Sequence, residues 1–361
     1  MRDKFAMPEG TYLLSHSVGC LPADSQEVMA ERYYRPWAEK GGDAWPLWLE
    51  EVARFRAAVA RLLGGRPDQV CPQANVSGAA AKILHALPER PGRKALLLCE
   101  EDFPSLGFVL GQAKGYELRF LPRGAAAQDP AAWERALGED VQLALVTHAF
   151  SNRSALLPVA EITRLARRAG VFTIVDAVQS AGVIPIDVGR WRADFVIGSC
   201  VKFLCGGPGA GFLWAADEAL AEMRPIDVGW FSHADPFAFD IHDFRPAEDA
   251  ARFWGGTPSV APYVQAAHSI ETLLGIGVEA IHAHNQRLID RLHDAFGDRI
   301  ASERTREGDA NAVLIRTPDP AAAVAMLNAA GVRCDAREGC VRVSPHIYND
   351  DADIERLIGV L

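Results

Sequence analysis

The sequence predicts an α/β fold in which a large domain with a mainly parallel sheet is followed by a smaller α+β domain. Apolar runs of strand length recur between residues 94 and 215, with helix-like segments between them. This alternation is typical of a parallel sheet covered by helices on both faces. Near the C-terminus the pattern changes to a strand, a helix, two strands and a helix. We therefore expect an N-terminal segment at 1–44, a large domain at 45–244 and a small domain at 245–361.

The predicted strands of the large domain leave room for helices between them. Helix-like patterns cover residues 48–63, 78–87, 130–137 and 159–169, and Gly170 marks the end of the last one. Because ligands bind beyond the carboxyl ends of parallel strands, polar side chains that follow these strands are expected to converge. The strand-like runs are KALLLCE (94–100), ELRFLP (117–122), LALVTH (143–148), FTIVDA (172–177), DFVIGSC (194–200) and AGFLWA (210–215).

The C-terminal third of the chain has a different organisation. Residues 216–257 are irregular and rich in aromatic, proline and aspartate residues, and residues 259–296 are typical of one long helix. The segments ANAVLIRTP, PAAAVAMLNAAGVRC and CVRVSPHIYNDDADIERLIGVL then supply the small α+β domain. We expect no internal repeat here.

Composition excludes several classes of protein. The chain has 361 residues, 49% of them hydrophobic, which is enough for a substantial core. A net charge of −10 without a basic stripe argues against a nucleic-acid partner. There is no apolar segment of signal-peptide or membrane-spanning length, so we predict a cytoplasmic protein with no membrane partner.

Cysteine usage points away from disulfides and metals. The seven cysteines form no CxxC pair, so we predict neither a disulfide framework nor a metal site. Most are expected to be small core residues. Cys334 and Cys340 stay open as nucleophiles that handle sulfur.

The strongest chemical signal is an acid and a lysine that follow two of the predicted strands. Asp176 ends one apolar run, and Lys202, one of only six lysines, lies between another run and a glycine-rich segment. A pyridoxal 5'-phosphate site needs a lysine for the Schiff base and a carboxylate that keeps the pyridine nitrogen protonated. The pair therefore predicts this cofactor and an amino-acid substrate.

Two further segments could bind the cofactor. Asn75, Val76 and Ser77 precede a predicted helix, whose free N–H groups could hold a phosphate. An ordinary helix cap is the alternative. Phe103 follows the strand KALLLCE and could stack on the pyridine ring, although a core phenylalanine is equally consistent with the pattern.

Other polar segments could bind substrate or phosphate. In THAFSNRS (147–154), His148, Ser151 and Asn152 could contact the cofactor or the substrate, and Arg153 could bind an anion. In GWFSH (229–233) and WGGTPS (254–259), an indole N–H and a threonine hydroxyl are available to a phosphate, and the adjacent glycines allow close backbone approach.

Arg342 lies inside an apolar, strand-like run. If it faces the core, it needs a carboxylate partner, because a buried unpaired cation is costly. The α-carboxylate of an amino acid, bound bidentately, would supply that partner. The alternative is an arginine on the solvent face of an edge strand.

The order of these segments resembles the class V aminotransferase superfamily, whose members are pyridoxal-phosphate enzymes of fold type I. The resemblance runs from TYLLSHSVGCLP (11–22) to VRVSPHIYNDDADIERL, and DAVQSAG (176–182) and GSCVKFLCGGPGAG (198–211) are its most specific motifs. It implies a seven-stranded sheet and a homodimer with shared active sites. It also implies that the N-terminal segment packs on the active site and the small domain, where His16 is expected to bind the substrate.

The resemblance also implies individual roles. Lys202 is expected to form the Schiff base, Asp176 to bind the pyridine nitrogen, Gln179 to contact the phenolate oxygen, and Arg342 to bind the substrate carboxylate. Phosphate contacts are expected from Trp230 and from Thr257, the latter from the neighbouring subunit.

The sequence is most similar to kynureninase-like and isopenicillin-epimerase-like members, but it departs from the kynureninase pattern. Val201 replaces a tyrosine before the lysine, Val178 a histidine two residues after the aspartate, and Leu106 an aspartate in the ring-stacking segment. We therefore expect a class V aminotransferase. A kynureninase-like hydrolase, a C–S lyase or cysteine desulfurase, and a non-catalytic regulatory protein remain as alternatives.

Overall fold

The computed structural model describes residues 1–302 and 310–361. In the described parts of the chain, no helix is both long enough and apolar enough to cross a membrane. The strands are β1 (Phe5–Ala6), β2 (Thr11–Tyr12), β3 (Leu21–Pro22), β4 (Val70–Gln73), β5 (Ala95–Cys99), β6 (Glu117–Leu121), β7 (Val141–Thr147), β8 (Phe172–Asp176), β9 (Phe195–Ser199), β10 (Gly211–Ala215), β11 (Val313–Arg316), β12 (Val332–Arg333), β13 (Asp335–Arg337) and β14 (Cys340–Val343).

Helices alternate with these strands through most of the chain. They are α1 (Ser25–Met29), α2 (Arg35–Lys40), α3 (Trp45–Leu63), α4 (Val76–Ala86), α5 (Pro104–Leu110), α6 (Ala125–Gln128), α7 (Pro130–Ala136), α8 (Val159–Arg168), α9 (Val188–Trp191), α10 (Asp217–Glu222), α11 (Ala261–Ile276), α12 (Val278–Phe296), α13 (Pro320–Ala329) and α14 (Asp351–Ile358).

The large sheet has seven strands in the order β4-β10-β9-β8-β7-β5-β6. Only β10 runs antiparallel to its neighbours, so the predicted mainly parallel sheet is confirmed. The six predicted runs supply six of these strands. The seventh, β4, was not recognised in the sequence, because it has four residues and contains Pro72. A proline that cannot donate a ladder hydrogen bond fits this position at the sheet edge.

Helices cover the sheet, and most of its strands are buried, the edge strand β6 being the exception. Helix α4 packs against β9 and β10, α8 packs against β7 and β8, and α11 lies along α3. All residues of β5, β7, β8 and β10 are buried. Both faces of these strands are therefore shielded from water, as a parallel sheet requires.

The predicted single helix at 259–296 is wrong. Two helices, α11 and α12, occupy this stretch and are separated by Gly277, whose φ of +97° lies outside the right-handed helical region. Helix α11 packs with the large-domain core, whereas α12 contributes Leu288, Ile289 and Leu292 to a separate core.

The second core belongs to the C-terminal elements. Strands β11, β14 and β13 form a three-stranded antiparallel sheet, and α12, α13 and α14 cover its apolar side chains. The N-terminal segment joins this unit: Thr11 of β2 pairs in parallel with Val332 of β12, and Leu13 lies in the same core. The division into domains at residues 44 and 244 stays a prediction.

Candidate active site

Three neighbouring strands of the large sheet end at one place. Thr147, the last residue of β7, pairs with Asp176, the last residue of β8, and Asp176 pairs with Ile197 near the end of β9. A cavity opens beyond these ends. It brings together six residues predicted from the sequence (Val76, Phe103, Ser151, Asp176, Gln179 and Lys202) with Glu101, Thr147, Ala149, Val178 and Ser199.

One backbone N–H and one nearby cation are the groups that stabilise the charged form of Asp176. It is buried, and its Oδ1 accepts a hydrogen bond of 2.8 Å from the backbone N–H of Val178. Burial raises the pKa of Asp176, whereas the Val178 amide and the charge of Lys202 lower it. Within the described chain no donor contacts Oδ2, so this oxygen is available to a protonated ring nitrogen.

Lys202 lies in the turn after β9. Its Nζ is 5.4 Å from the centroid of the Phe103 ring, so the ring and the amine border the same space. Burial lowers the pKa of Lys202, Asp176 raises it, and the charges of Arg342 and Arg337 lower it further. A lysine whose ammonium is disfavoured in this way is suited to act as a nucleophile and as a base.

The start of α4 lies beside the cavity. Asn75 is the N-cap, and its Oδ1 accepts a hydrogen bond of 2.9 Å from the N–H of Gly78. Asn75 therefore uses its side chain on the helix itself. The N–H groups of Val76 and Ser77, in the first turn, have no acceptor within the helix and are suited to an anion.

Trp230 and Thr257 do not line this cavity. Trp230 packs in an aromatic group with Phe231, Phe237 and Phe239, and Thr257 is exposed. Lys82 of α4 donates to the carbonyl oxygens of Phe253 (2.8 Å) and Trp254, which connects the segment before Thr257 to the helix. Contact of these residues with a phosphate stays a prediction.

Arg342 is 8% exposed, and its carboxylate partner comes from the chain itself. Its Nε and Nη2 donate to Oδ1 (3.0 Å) and Oδ2 (2.6 Å) of Asp335, and Nη1 donates to the carbonyl oxygen of Ser151 (2.5 Å). Sequence reasoning anticipated the need for a carboxylate but missed Asp335. Because Ser151 lines the cofactor cavity, Arg342 reaches the cavity's edge through Nη1.

His16 extends this cluster. Its Nε2 lies 3.1 Å from Oδ1 of Asp335, and its Nδ1 lies 2.8 Å from the hydroxyl of Ser344. Burial lowers the pKa of His16 although the hydrogen bond to Asp335 raises it. A neutral ring that donates from Nε2 and accepts at Nδ1 fits both contacts. The amide of Gln179 donates to the backbone oxygen of His16 at 3.3 Å, which connects the N-terminal segment to the cavity.

The structure places His148 and Asn152 elsewhere. Side chains alternate along a strand, so Thr147 and Ala149 face the cofactor cavity while His148 points to the opposite side. There its ring lies edge-on to Trp191, at 4.7 Å between centroids, and burial lowers its pKa to about 3. Asn152 is buried, and its Oδ1 accepts from the N–H of Arg153.

Comparison with known proteins identifies the family. The family model described as aminotransferase class-V matches residues 49–357. The chain belongs to the class V aminotransferase family. It is 28% identical to the uncharacterized aminotransferase YcbU of Bacillus subtilis, over 94% of this chain and 92% of that protein. It is 30% identical to a kynureninase of Deinococcus radiodurans, over 80% of this chain and 72% of that protein.

A solved structure shows the same fold. The chain superposes with a TM-score of 0.90 and 22% identity on a variant of C-DES with glycine covalently linked to the PLP cofactor, covering 99% of this chain and 98% of that chain. The class V, fold type I architecture predicted from the sequence is confirmed. Pyridoxal 5'-phosphate is the cofactor of this chain.

The cavity residues fit this cofactor chemically. An amine (Lys202), a carboxylate with a free oxygen (Asp176), an aromatic ring (Phe103) and the open first turn of α4 border one space. They supply a covalent anchor, a partner for the pyridine nitrogen, a stacking surface and a phosphate site, respectively.

Sequence reasoning also missed two carboxyl groups next to Phe103: Glu101, which lines the cavity and pairs with Arg153, and Asp102. Asp102 immediately precedes Phe103, and its Oδ1 accepts from the hydroxyl of Thr147 (2.6 Å) while Oδ2 accepts from the N–H of Cys99 (2.8 Å). Burial raises the pKa of Asp102 to about 7, against the hydrogen bonds to Thr147 and Cys99, which lower it. The run EED after β5 marked a polar turn, but nothing in it indicated which acid turns inward.

No thiol lines the cavity among the described residues. All seven cysteines are buried. Burial raises the pKa of Cys334 to about 12 and also raises that of Cys340, which makes both thiols poor nucleophiles.

Proposed function

We propose that the protein is an aminotransferase that takes the amino group from an α-amino acid. The observation that carries this proposal is that Lys202 is the one amine among the described residues that line the cavity, where Asp176 is placed to bind the pyridine nitrogen and Glu101 is paired with Arg153. Transamination needs a single mobile amine that removes the proton from the substrate's Cα and returns it one position away. When bound, pyridoxal 5'-phosphate supplies an aldehyde for the amino group and a ring that withdraws electrons from Cα.

The remaining side chains would orient the substrate. Asp335 holds the Nε–Nη2 edge of Arg342, so the edge that an incoming carboxylate can reach is Nη1, now on the carbonyl of Ser151. Phe103 shields one side of the space occupied by the amine of Lys202. With Arg342 fixing one end of the substrate, the Cα hydrogen can be presented to Lys202.

The alternatives have less support. Kynureninase-like hydrolysis places polar groups near the lysine, where this chain has Val178 in the cavity lining and Val201 beside Lys202. Cysteine desulfuration by a protein thiol needs a reactive cysteine at the site, whereas the cysteines here are buried. A non-catalytic protein would not need a buried lysine whose pKa is lowered, whereas a catalytic lysine does.

A homodimer and a cytoplasmic location complete the proposal. The segment 226–244 exposes large apolar side chains, with Phe239 73% and Ile241 91% exposed, as expected of a surface that a second subunit covers. Thr257 is exposed and free to approach a partner's phosphate. Seven unpaired thiols favour a reducing compartment.

Single-turnover measurements test the reaction. The purified holoenzyme is mixed with individual amino acids, and the visible absorbance of the lysine-bound cofactor is followed together with the products. Transamination converts the cofactor to its amine form and releases one equivalent of 2-oxo acid. Release of alanine, sulfide or anthranilate without that conversion contradicts the proposal. The Lys202→Arg variant is the matched control, since it keeps the positive charge but cannot form the covalent link.

A further inference from the structure

The hairpin that carries Arg342 also carries a second arginine. Strands β13 and β14 are joined by Glu338 and Gly339, both with positive φ (+51° and +75°), which is the backbone of a type I′ hairpin turn. The register that this turn sets pairs Asp335 with Arg342 and Arg337 with Cys340. Because positions two apart share a face, and paired residues share it too, Arg337 lies on the same face as Asp335 and Arg342.

The two arginines differ in their partners. Arg342 is neutralised by the bidentate contact with Asp335. Arg337 is half-buried, and in the described chain it has neither an ion pair nor a hydrogen bond. Its charge nevertheless acts on Lys202 together with that of Arg342. A guanidinium that is partly removed from water loses hydration, and no anion among the described residues replaces it.

We infer that Arg337 binds an anionic group on the substrate's side chain, so that the substrate is an α-amino acid with a second carboxylate. The inference rests on the proposed function, in which Arg342 takes the α-carboxylate through its Nη1 edge. A planar guanidinium is suited to a carboxylate, which it binds through two parallel hydrogen bonds. Two arginines on one sheet face, one engaged by Asp335 and one without a partner among the described residues, then bind the two ends of a dicarboxylic substrate.

The geometry also explains why Arg342 alone should bind an incoming carboxylate weakly. The side chain of Asp335 is 36% exposed and lies next to the proposed position of the α-carboxylate. Partial burial would raise the pKa of Asp335, but the hydrogen bonds from His16 and Arg342 outweigh this effect and lower it, so Asp335 is negatively charged. That charge opposes an incoming anion. The charge of Arg337, two residues further along β13, offsets it.

The test compares acids with their amides. For the holoenzyme, kcat/KM is measured with aspartate against asparagine and with glutamate against glutamine, pairs that match in shape and differ in charge. We expect the wild type to prefer one acid, and Arg337→Met to lower the acid-to-amide ratio about 10- to 100-fold, the range of a charge-assisted hydrogen bond. Arg337→Lys should retain part of the preference. Arg333→Met, which removes an exposed arginine from β12, should leave the ratio unchanged.

A binding measurement separates this inference from the proposed function. Calorimetry with succinate, and with butyrate as the monocarboxylate of the same length, reports the second anion site without turnover. Succinate should bind at least 10-fold more tightly than butyrate to the wild type and with similar affinity to Arg337→Met. Equal binding of the two by the wild type, or an acid-to-amide ratio that Arg337→Met does not change, overturns the role of Arg337. Failure of every amino acid to transaminate, with the succinate preference intact, overturns the proposed function alone.

Discussion

Replacing Asp102 by asparagine should stabilise the cofactor-free protein in a way that grows with pH. The carboxyl group of Asp102 lies between the hydroxyl of Thr147 and the N–H of Cys99. Asparagine has the same shape and no charge, and its amide can keep both contacts by donating to Thr147 and accepting from Cys99. The variant therefore mimics the protonated acid, and its difference from the wild type reports the cost of the charge.

The magnitude follows from the position of the pKa. Burial raises the pKa of Asp102 from 3.8 to about 7, a difference of roughly 3 on the pH scale, or about 4 kcal/mol in total. The pKa of Asp102 is higher in the folded state than in the unfolded state, so the protonated side chain stabilises the folded protein. This contribution to stability is fully present below pH 3.8 and is lost as the pH rises through 7. Between pH 5 and pH 8 the wild type should lose about 2–3 kcal/mol relative to Asp102→Asn.

Urea unfolding of the apoprotein at pH 5, 6, 7 and 8 measures this difference. The comparison of wild type and variant at each pH removes the contribution of all other titrating groups. Asp140→Asn is the control: Asp140 is exposed, and the hydrogen bond from Arg119 lowers its pKa below 3.8. Asp140 is therefore charged in both the folded and the unfolded state from pH 5 to pH 8, and the difference in unfolding free energy between wild type and Asp140→Asn should stay constant over this range. A wild-type-to-variant difference for Asp102 that stays constant from pH 5 to pH 8 refutes the reasoning.

Four further substitutions test the site and the fold. Lys202→Ala should abolish the borohydride-reducible link to the cofactor, detected by mass spectrometry, and lower kcat by about 10²- to 10⁴-fold. Arg342→Ala should raise KM for amino acids about 10- to 100-fold, and an unchanged KM removes its role. Asp176→Asn should raise the free energy of unfolding of the apoprotein at pH 7, because burial raises the pKa of the acid, yet lower kcat of the holoenzyme. Gly277→Ala should lower the free energy of unfolding by about 1–2 kcal/mol in urea titrations, since its φ is +97°.

The order of elements could be predicted because each signal is local. A buried strand of five to seven apolar residues is visible in the sequence alone, and six strands of the large sheet were found in this way. The edge strand β4 was not, because its four residues include Pro72 and carry no run of apolar side chains. The break at Gly277 was missed for a related reason: a glycine inside a helical pattern is compatible with both a continuous and an interrupted helix.

Contacts between distant residues could not be predicted in the same way. Arg342 was expected to need a carboxylate, but the choice of Asp335 depends on the register of β13 against β14, which the two-residue turn at 338–339 sets. His16 reaches the same carboxylate from the other end of the chain. Neither contact has a signature in local sequence, because each arises from strand pairing that only the folded chain defines.

The period of two along a strand explains which polar residues of THAFSNRS reach the cavity. Thr147, Ala149 and Ser151 line it, whereas His148 and Phe150 between them, and Asn152 after them, do not. The alternation thus continues past the end of β7. His148, whose residue type is the more common in catalysis, therefore points away from the cavity. The backbone oxygen of Ser151 that Arg342 contacts therefore belongs to the face of the cavity. Carrying the strand period beyond the strand's end selects Thr147 and Ser151, and the hydroxyl of Thr147 in turn contacts the partly buried carboxylate of Asp102.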